Sequence, residues 1–85
     1  MNEFIQKIHH RLTEDLSPEK LQIIDESHLH AGHASAGPGI FHICVQIQSS
    51  KLNQLNRIQQ HQLIYKSLTQ WMPKPLHAVR MEIID

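Results

Sequence analysis

Three histidines stand within six residues of one another, and no other stretch of the chain concentrates as many side chains that can bind a metal or titrate. They are His28, His30 and His33, part of a complement of 8 histidines in 85 residues. Neutral imidazole is a very common metal ligand in proteins, and its pKa lies nearest to physiological pH. All three glycines of the chain fall between positions 32 and 39, so we predict that this segment is a long loop.

A metal site in this chain needs ligands from a second segment. A structural zinc site is tetrahedral and usually draws its ligands from separate segments, and here His77 or Cys44 can provide the second contribution. The spacing matches no standard zinc-ligand pattern. Three interpretations stay open: a solvated loop that contains histidines, a complete zinc module, and a partial site that is completed by ligands from a partner.

The residues that resemble catalytic groups do not form a catalytic pattern. His42 and Cys44 share one face of a strand, because residues i and i+2 point the same way, but no acid is placed to orient the histidine. Asp25, Ser27 and His28 have the composition of a triad, yet triad members normally come from separate segments. We therefore predict that the protein is not an enzyme.

Composition limits the class of protein and its partners. The chain has 85 residues, which predicts a single domain over residues 1–85 with one modest core. Eight Lys and Arg balance eight Asp and Glu, so nothing indicates a general polyanion binder. The chain holds one cysteine, no apolar run that could span a bilayer, and no secretory signal at its start. We expect a cytoplasmic protein that does not bind membranes.

The hydrophobic pattern predicts both helices and strands. Apolar residues recur at three- and four-residue steps over residues 4–16, which predicts an amphipathic helix that Asn2 can cap and Pro18 ends. Residues 21–26 predict a short strand, and the alternation over residues 41–48 predicts a second strand with one buried face. The stretch 52–72 is predicted to be helical, as one helix or as a short one followed by a longer one.

A last strand begins at His77, and the predicted order is α-β-β-α(α)-β. The first two strands should be antiparallel, since a loop joins them, and the helical crossover makes the second and third parallel if they are neighbours. This is an α+β domain with a small mixed sheet and helices packed on one face. The core candidates in the helical stretch are Leu55, Ile58, Leu63, Ile64, Leu68 and Trp71.

With this order of elements, the chain resembles the BolA family in four places. Residues 25–33 (Asp-Glu-Ser-His-Leu-His-Ala-Gly-His) resemble the family's segment after the first strand, in its longer-loop form. Residues 42–49 resemble the second strand, and residues 58–65, around His61, resemble the segment usually written with Arg-His-Arg. Residues 76–79 (Leu-His-Ala-Val) resemble the family's C-terminal His-Ala-Leu. The resemblance covers nearly the whole chain.

The resemblance implies a class II KH-like fold, α-β-β-α-α-β, and a partnership with monothiol glutaredoxins. The two proteins are expected to share a [2Fe-2S] cluster, of which a glutaredoxin cysteine and a glutathione thiol hold one side. The family contributes its C-terminal histidine, here His77, and a loop residue, for which His30 matches best and His33 is second. The isolated chain is then expected to hold no cluster and to be a monomer or a weak homodimer.

The resemblance also implies an alternative role, DNA binding with transcriptional regulation. The candidate contacts to nucleic acid are Lys51, Arg57 and Lys66. Two departures weaken this role. The usual aromatic-x-Gly turn before the paired helices is replaced by Leu-Asn-Gln at residues 52–54, and the usual Arg-His-Arg is Gln-His-Gln at residues 60–62, which removes two positive charges. Neither departure touches His30, His33 or His77.

Overall fold

The computed structural model describes residues 2–27 and 39–85, and all structural statements below refer to them. The predicted order of elements is confirmed, and the helical stretch is divided into two helices and a 3-10 turn. In chain order the elements are α1 (Glu3–Leu16), β1 (Lys20–Asp25), β2 (Phe41–Gln48), α2 (Ser50–Asn53), α3 (Arg57–Leu68), a 3-10 turn (Thr69–Trp71) and β3 (Leu76–Ile84).

Helix α1 begins and ends where the sequence predicts. The Asn2 side chain accepts a hydrogen bond from the backbone N–H of Phe4 at 2.7 Å, which satisfies one of the free donors at the helix start. The helix ends at Ser17, whose φ of 44° is left-handed and stops the helical repeat. One side of the helix is buried throughout its length, through Ile5, Ile8, Leu12 and Leu16.

Helices α2 and α3 are separate because each has its own cap. The Ser49 side chain accepts from the Lys51 backbone N–H at 3.2 Å, at the start of α2. The Asn56 side chain accepts from the Gln59 N–H at 2.9 Å, and the Gln59 side chain accepts from the Asn56 N–H at 3.1 Å. This reciprocal capping box restarts the helix at Arg57.

The sheet has three strands in the order β1-β2-β3, so β2 is central. Strand β2 pairs antiparallel with β1 and parallel with β3, as predicted from the two kinds of connection. The helices pack against the odd-numbered residues of β2, and the opposite face of the sheet carries no helix in the described part of the chain. The shared core contains Ile8, Leu12, Ile43, Val45, Ile47, Leu52, Ile64 and Leu68.

Two features of the predicted core need correction. Ile58 was expected in the core, but it is 71% exposed. It lies six residues before the buried Ile64, which at 100° per residue places it far around α3 from the packed side. Leu52 is not among the core residues predicted from the sequence, but it is fully buried, because α2 packs it into the core.

The predicted alternation of buried and exposed residues along β2 is also incomplete. His42 and Cys44 should face solvent if only one face were covered, but both are buried. As the central strand, β2 has neighbours on both sides, and their side chains reach over it: Arg80 of β3 forms an ion pair with Glu26 beyond β1, and the ring of His77 lies against His42.

None of the helices in residues 2–27 and 39–85 is both long enough and apolar enough to cross a membrane.

A hydrogen bond between two side chains joins α1 to α3. The Ser67 hydroxyl donates to the Asp15 carboxylate at 2.5 Å, and Arg11 donates to the same oxygen at 3.1 Å. The Ser67 hydrogen bond, with help from the positive charge of Arg11, lowers the pKa of Asp15 below its ordinary value of 3.8. Ser67 itself is buried.

We expect Ser67→Ala to lower the free energy of unfolding by about 1 kcal/mol at neutral pH, the net value of a typical hydrogen bond, because Asp15 is partly exposed and its charge is screened. The folded-state pKa is depressed, so this stabilisation is present above pH 3.8 and is lost as the pH falls through the lowered value. Urea unfolding at neutral pH and at a pH well below 3.8 measures the difference.

Thr69→Ala is the control, since the Thr69 hydroxyl donates to the uncharged backbone oxygen of Tyr65. Its cost should be similar at both pH values. An equal cost of Ser67→Ala in acid and at neutral pH would contradict the role given to the Asp15 charge.

Candidate metal centre

Three passages of the chain meet at one edge of the sheet, which we call the loop edge: the end of β1, the start of β2 and the start of β3. Asp25, the last residue of β1, lies opposite Ile43, and Phe41, the first residue of β2, lies opposite Leu76, the first of β3. The Phe41 backbone N–H also donates to the Pro75 oxygen at 2.7 Å. The end of β1 and the start of β2 therefore lie at the edge where β3 begins.

His77 lies at the loop edge with its side chain exposed. It is the second residue of β3, and the register there is irregular: Phe41 pairs with Leu76 and the next residue, His42, pairs with Ala78. His77 falls between these pairs. An exposed imidazole at an open edge can offer a ring nitrogen to a metal that approaches from outside, so the donor chemistry of His77 fits the predicted ligand role.

His42 is the neighbour of His77 inside the sheet. Its side chain is 3% exposed, and its ring centroid lies 5.3 Å from that of His77 with an angle of 64° between the ring planes. This is an edge-to-face contact, a preferred arrangement for two aromatic rings. The exposed ring is thus supported on one side by a buried one.

The backbone of His42 also holds the start of the predicted loop. Its oxygen accepts from the Glu26 N–H at 2.7 Å, and its N–H donates to the Ser27 hydroxyl at 3.2 Å. Ser27 is held from the other side as well, since its N–H donates to the Asp25 carboxylate at 2.9 Å. His30 and His33, the two predicted loop ligands, lie outside the described residues, as does His28, and their role stays a prediction.

An ion pair connects the start of the predicted loop to β3. The Nη2 atom of Arg80 pairs with the Glu26 carboxylate and its Nη1 atom pairs with the Glu82 carboxylate, each at 2.7 Å. These hydrogen bonds raise the pKa of Arg80, which keeps it charged. A hydrogen bond from Gln46, and then the one from Arg80, lower the pKa of Glu82. On the face without helices, the network joins β2 and β3 to Glu26, the residue that follows β1.

Cys44 lies beneath this network and is a poor metal ligand. It is fully buried, and burial raises the pKa of its thiol. The thiolate is the form that binds metals and acts as a nucleophile, so both uses are disfavoured. Across residues 2–27 and 39–85, no group of three or more His, Cys, Asp or Glu side chains is arranged to hold a metal ion. A metal at His77 needs ligands from outside those residues or from another molecule.

The three predicted nucleic-acid contacts do not form one patch. Lys51 donates to the backbone oxygen of Asp15 at 3.2 Å, and Lys66 lines a groove between α1 and α3 that also includes Asp15. Arg57 lines a different groove, between α3 and β3, together with His61 and Met81. Arg57 and Lys66 are nine residues apart on α3, which places them on opposite sides of the helix.

Two residues of the site were not found from the sequence. In the sequence-based predictions, His42 is a possible partner of Cys44 and the first residue of the segment that resembles the family's second strand, but it is not a site residue. Arg80 is not a site residue there either. Glu26 and Arg80 are far apart along the chain, so no local sequence pattern indicates that they form an ion pair. A regular alternation along β3 would place His77 on the same face as Val79. The sequence pattern therefore does not indicate the irregular register that brings His77 against His42.

Comparison with known sequences identifies relatives over most of the chain. A sequence model of BolA-like proteins matches residues 12–84. A Sinorhizobium protein described as an uncharacterized protein in cobS 5'region is 35% identical, over 91% of this chain and 85% of its own length. A Haemophilus influenzae protein named DNA-binding transcriptional regulator BolA is 31% identical, over 92% of this chain and 73% of its own.

Human BolA-like protein 1 is 33% identical over 85% of this chain, but the match spans only 50% of the human protein. Among solved structures, the BolA domain of SufE1 from Arabidopsis thaliana has a TM-score of 0.86 and 26% identity, and covers 98% of this chain and 92% of that one. BolA1 from the same plant has a TM-score of 0.80 and 25% identity, with coverage of 98% and 92%. By sequence and by fold, the chain belongs to the BolA family.

Proposed function

We propose that the protein is a non-enzymatic adaptor that binds a monothiol glutaredoxin and contributes ligands to a shared [2Fe-2S] cluster. His77 is one ligand, and His30 or His33 is the second. The observation that carries the proposal is the position of His77: its exposed ring lies at the loop edge, where β1 ends and β2 begins. His30 and His33 fall between these two strands in the sequence.

The ligand set supports a shared site rather than a complete one. The described residues hold no group of three metal-binding side chains, and the only cysteine of the protein is buried under Arg80 and Glu82. Sulfur ligands for the cluster must then come from another molecule, which agrees with the glutaredoxin cysteine and glutathione thiol that the family resemblance implies. When bound, the cluster supplies one-electron chemistry, and imidazole in place of thiolate raises its potential.

The chain's own residues keep the site open to a partner. Ser27 and Glu26 are fastened to the backbone of His42, and Arg80 fixes Glu26 to β3, so the start of the loop is held while the ring of His77 stays accessible. A partner can therefore reach His77 without unfolding a strand.

His77→Ala should abolish the proposed ligand at the start of β3. Titration of the wild-type chain with a cluster-loaded monothiol glutaredoxin is expected to give a heterodimer with altered visible circular dichroism. We expect the variant to weaken this complex by about tenfold or more, since even outer contacts of a metal site cost 10–100-fold. His10→Ala is the matched control, because His10 is an exposed histidine on α1 and is not among the strand residues that form the loop edge. An unchanged spectrum and affinity for His77→Ala would exclude the assignment.

The loop ligand can be identified by comparing His30→Ala with His33→Ala. Removal of the true ligand should alter the visible spectrum of the heterodimer and lower its affinity by about tenfold or more, whereas removal of the other histidine should leave both nearly unchanged. The family resemblance favours His30. If the double variant behaves as the wild type, the loop supplies no ligand.

DNA binding is a second candidate, favoured by the name of the Haemophilus influenzae relative. The separation of Arg57 from Lys51 and Lys66 on the surface argues that any contact with duplex is weak.

We expect the affinity for duplex DNA to stay in the non-specific range of about 10⁻⁴–10⁻⁶ M at physiological salt and to fall steeply with added salt. Fluorescence anisotropy with labelled duplex at several salt concentrations measures both quantities. Submicromolar affinity that Arg57→Ala reduces and Lys7→Ala does not would instead support DNA binding as the main function; Lys7 is an exposed cation on α1.

A further inference from the structure

We propose that His42 is a positioning residue, which holds the ring of His77 in the orientation needed to bind the cluster. The inference rests on the proposed function, because it concerns the same site. It gives a role to a buried histidine that is not among the proposed ligands.

The contact between the two rings is the first support. The ring centroids lie 5.3 Å apart at 64°, and His42 is 3% exposed while His77 is exposed. A buried ring in a packed interior has little freedom to change its rotamer. The exposed ring that rests against it loses part of its own freedom as a result. An exposed histidine without such a neighbour would sample several rotamers.

The backbone of His42 gives a second, independent support. Its two hydrogen bonds fix Glu26 and Ser27, the last described residues before the loop. One residue therefore contacts His77 through its side chain and, through its main chain, Glu26 and Ser27, which precede the predicted loop in the sequence.

The irregular register between β2 and β3 is the third support. It lies between Phe41 and His42, and it leaves His77 between two paired positions. Irregularities of this kind redirect a side chain and are common beside functional sites. Here the redirected side chain is that of His77, and the surface on which it comes to rest is the ring of His42.

This arrangement lowers the conformational entropy that His77 loses when it binds the cluster. A ligand that is already oriented loses less conformational freedom when the partner arrives, and residues that orient metal ligands typically contribute 10–100-fold to metal affinity. The contact uses the shape of the ring, so a different aromatic ring at position 42 should serve almost as well.

The first experiment compares His42→Ala with His42→Phe in the titration with cluster-loaded glutaredoxin, followed by visible circular dichroism. We expect His42→Ala to weaken the complex by about tenfold and His42→Phe to stay within about threefold of the wild type, since it restores the aromatic contact. Cys44→Ala is the matched control: it truncates another buried side chain two residues further on the same face of β2, and it should leave the affinity and spectrum unchanged.

The second experiment needs no cluster. The reference is the exposed ring of His10 in Glu14→Ala, since Glu14 contacts the His10 ring in the wild type and its truncation frees that ring. With labelled histidines, NMR relaxation of the ring carbons should show that the His77 ring of this chain is more restricted than its His10 ring. In folded His42→Ala, the His77 ring should become as mobile as this reference. If both variants of His42 fail to fold, the comparison of His77 with His10 in Glu14→Ala still decides the question.

The outcomes separate this proposal from the proposed function. A wild-type chain that forms no cluster-bearing heterodimer refutes the proposed function. The positioning role is refuted, while the proposed function stands, by any of four results. These are a heterodimer that forms normally with His42→Ala, a loss shared equally by Cys44→Ala, a loss that His42→Phe does not restore, and a His77 ring as mobile as that of His10 in Glu14→Ala.

Discussion

The parallel pairing of β2 with β3 is the constraint on which the arrangement of the site depends. Two parallel strands start at the same edge of a sheet, so β3 begins where β2 begins, and the chain between β1 and β2 returns to that same edge. An antiparallel β3 would place His77 at the far end of β2. Parallel neighbours require a crossover of a dozen or more residues, and α2 and α3 provide it while they cover the core.

The loop edge is built from interactions of two different kinds. Backbone hydrogen bonds from His42 hold Glu26 and Ser27, and the charged pair of Glu26 with Arg80 adds a second attachment on the exposed side. An exposed ion pair stabilises the fold little, so its value here is geometric: it fixes the chain before the loop relative to β3. The edge thus presents His77 on a rigid support.

The order of the elements could be predicted from the sequence, because the main elements have a strong local signal: the apolar stripe of α1 with its Asn2 cap, and the alternation of β2. The errors occur where contacts between distant residues decide. Ile58 is apolar but faces solvent on α3, and the burial of His42 follows from its neighbours in space. The ligand role of His77 is implied by the family resemblance, whereas its contact with His42 depends on a register that no local pattern encodes.

The burial of Cys44 has a consequence for chemistry between proteins. Thiol–disulfide exchange requires a thiolate that can reach the other sulfur, and Cys44 has neither the accessibility nor the lowered pKa for it. In a complex that brings glutathione and a reactive glutaredoxin cysteine to the loop edge, the protein offers no sulfur of its own for a mixed disulfide. While the sheet stays folded, a disulfide between this chain and such a partner is therefore disfavoured.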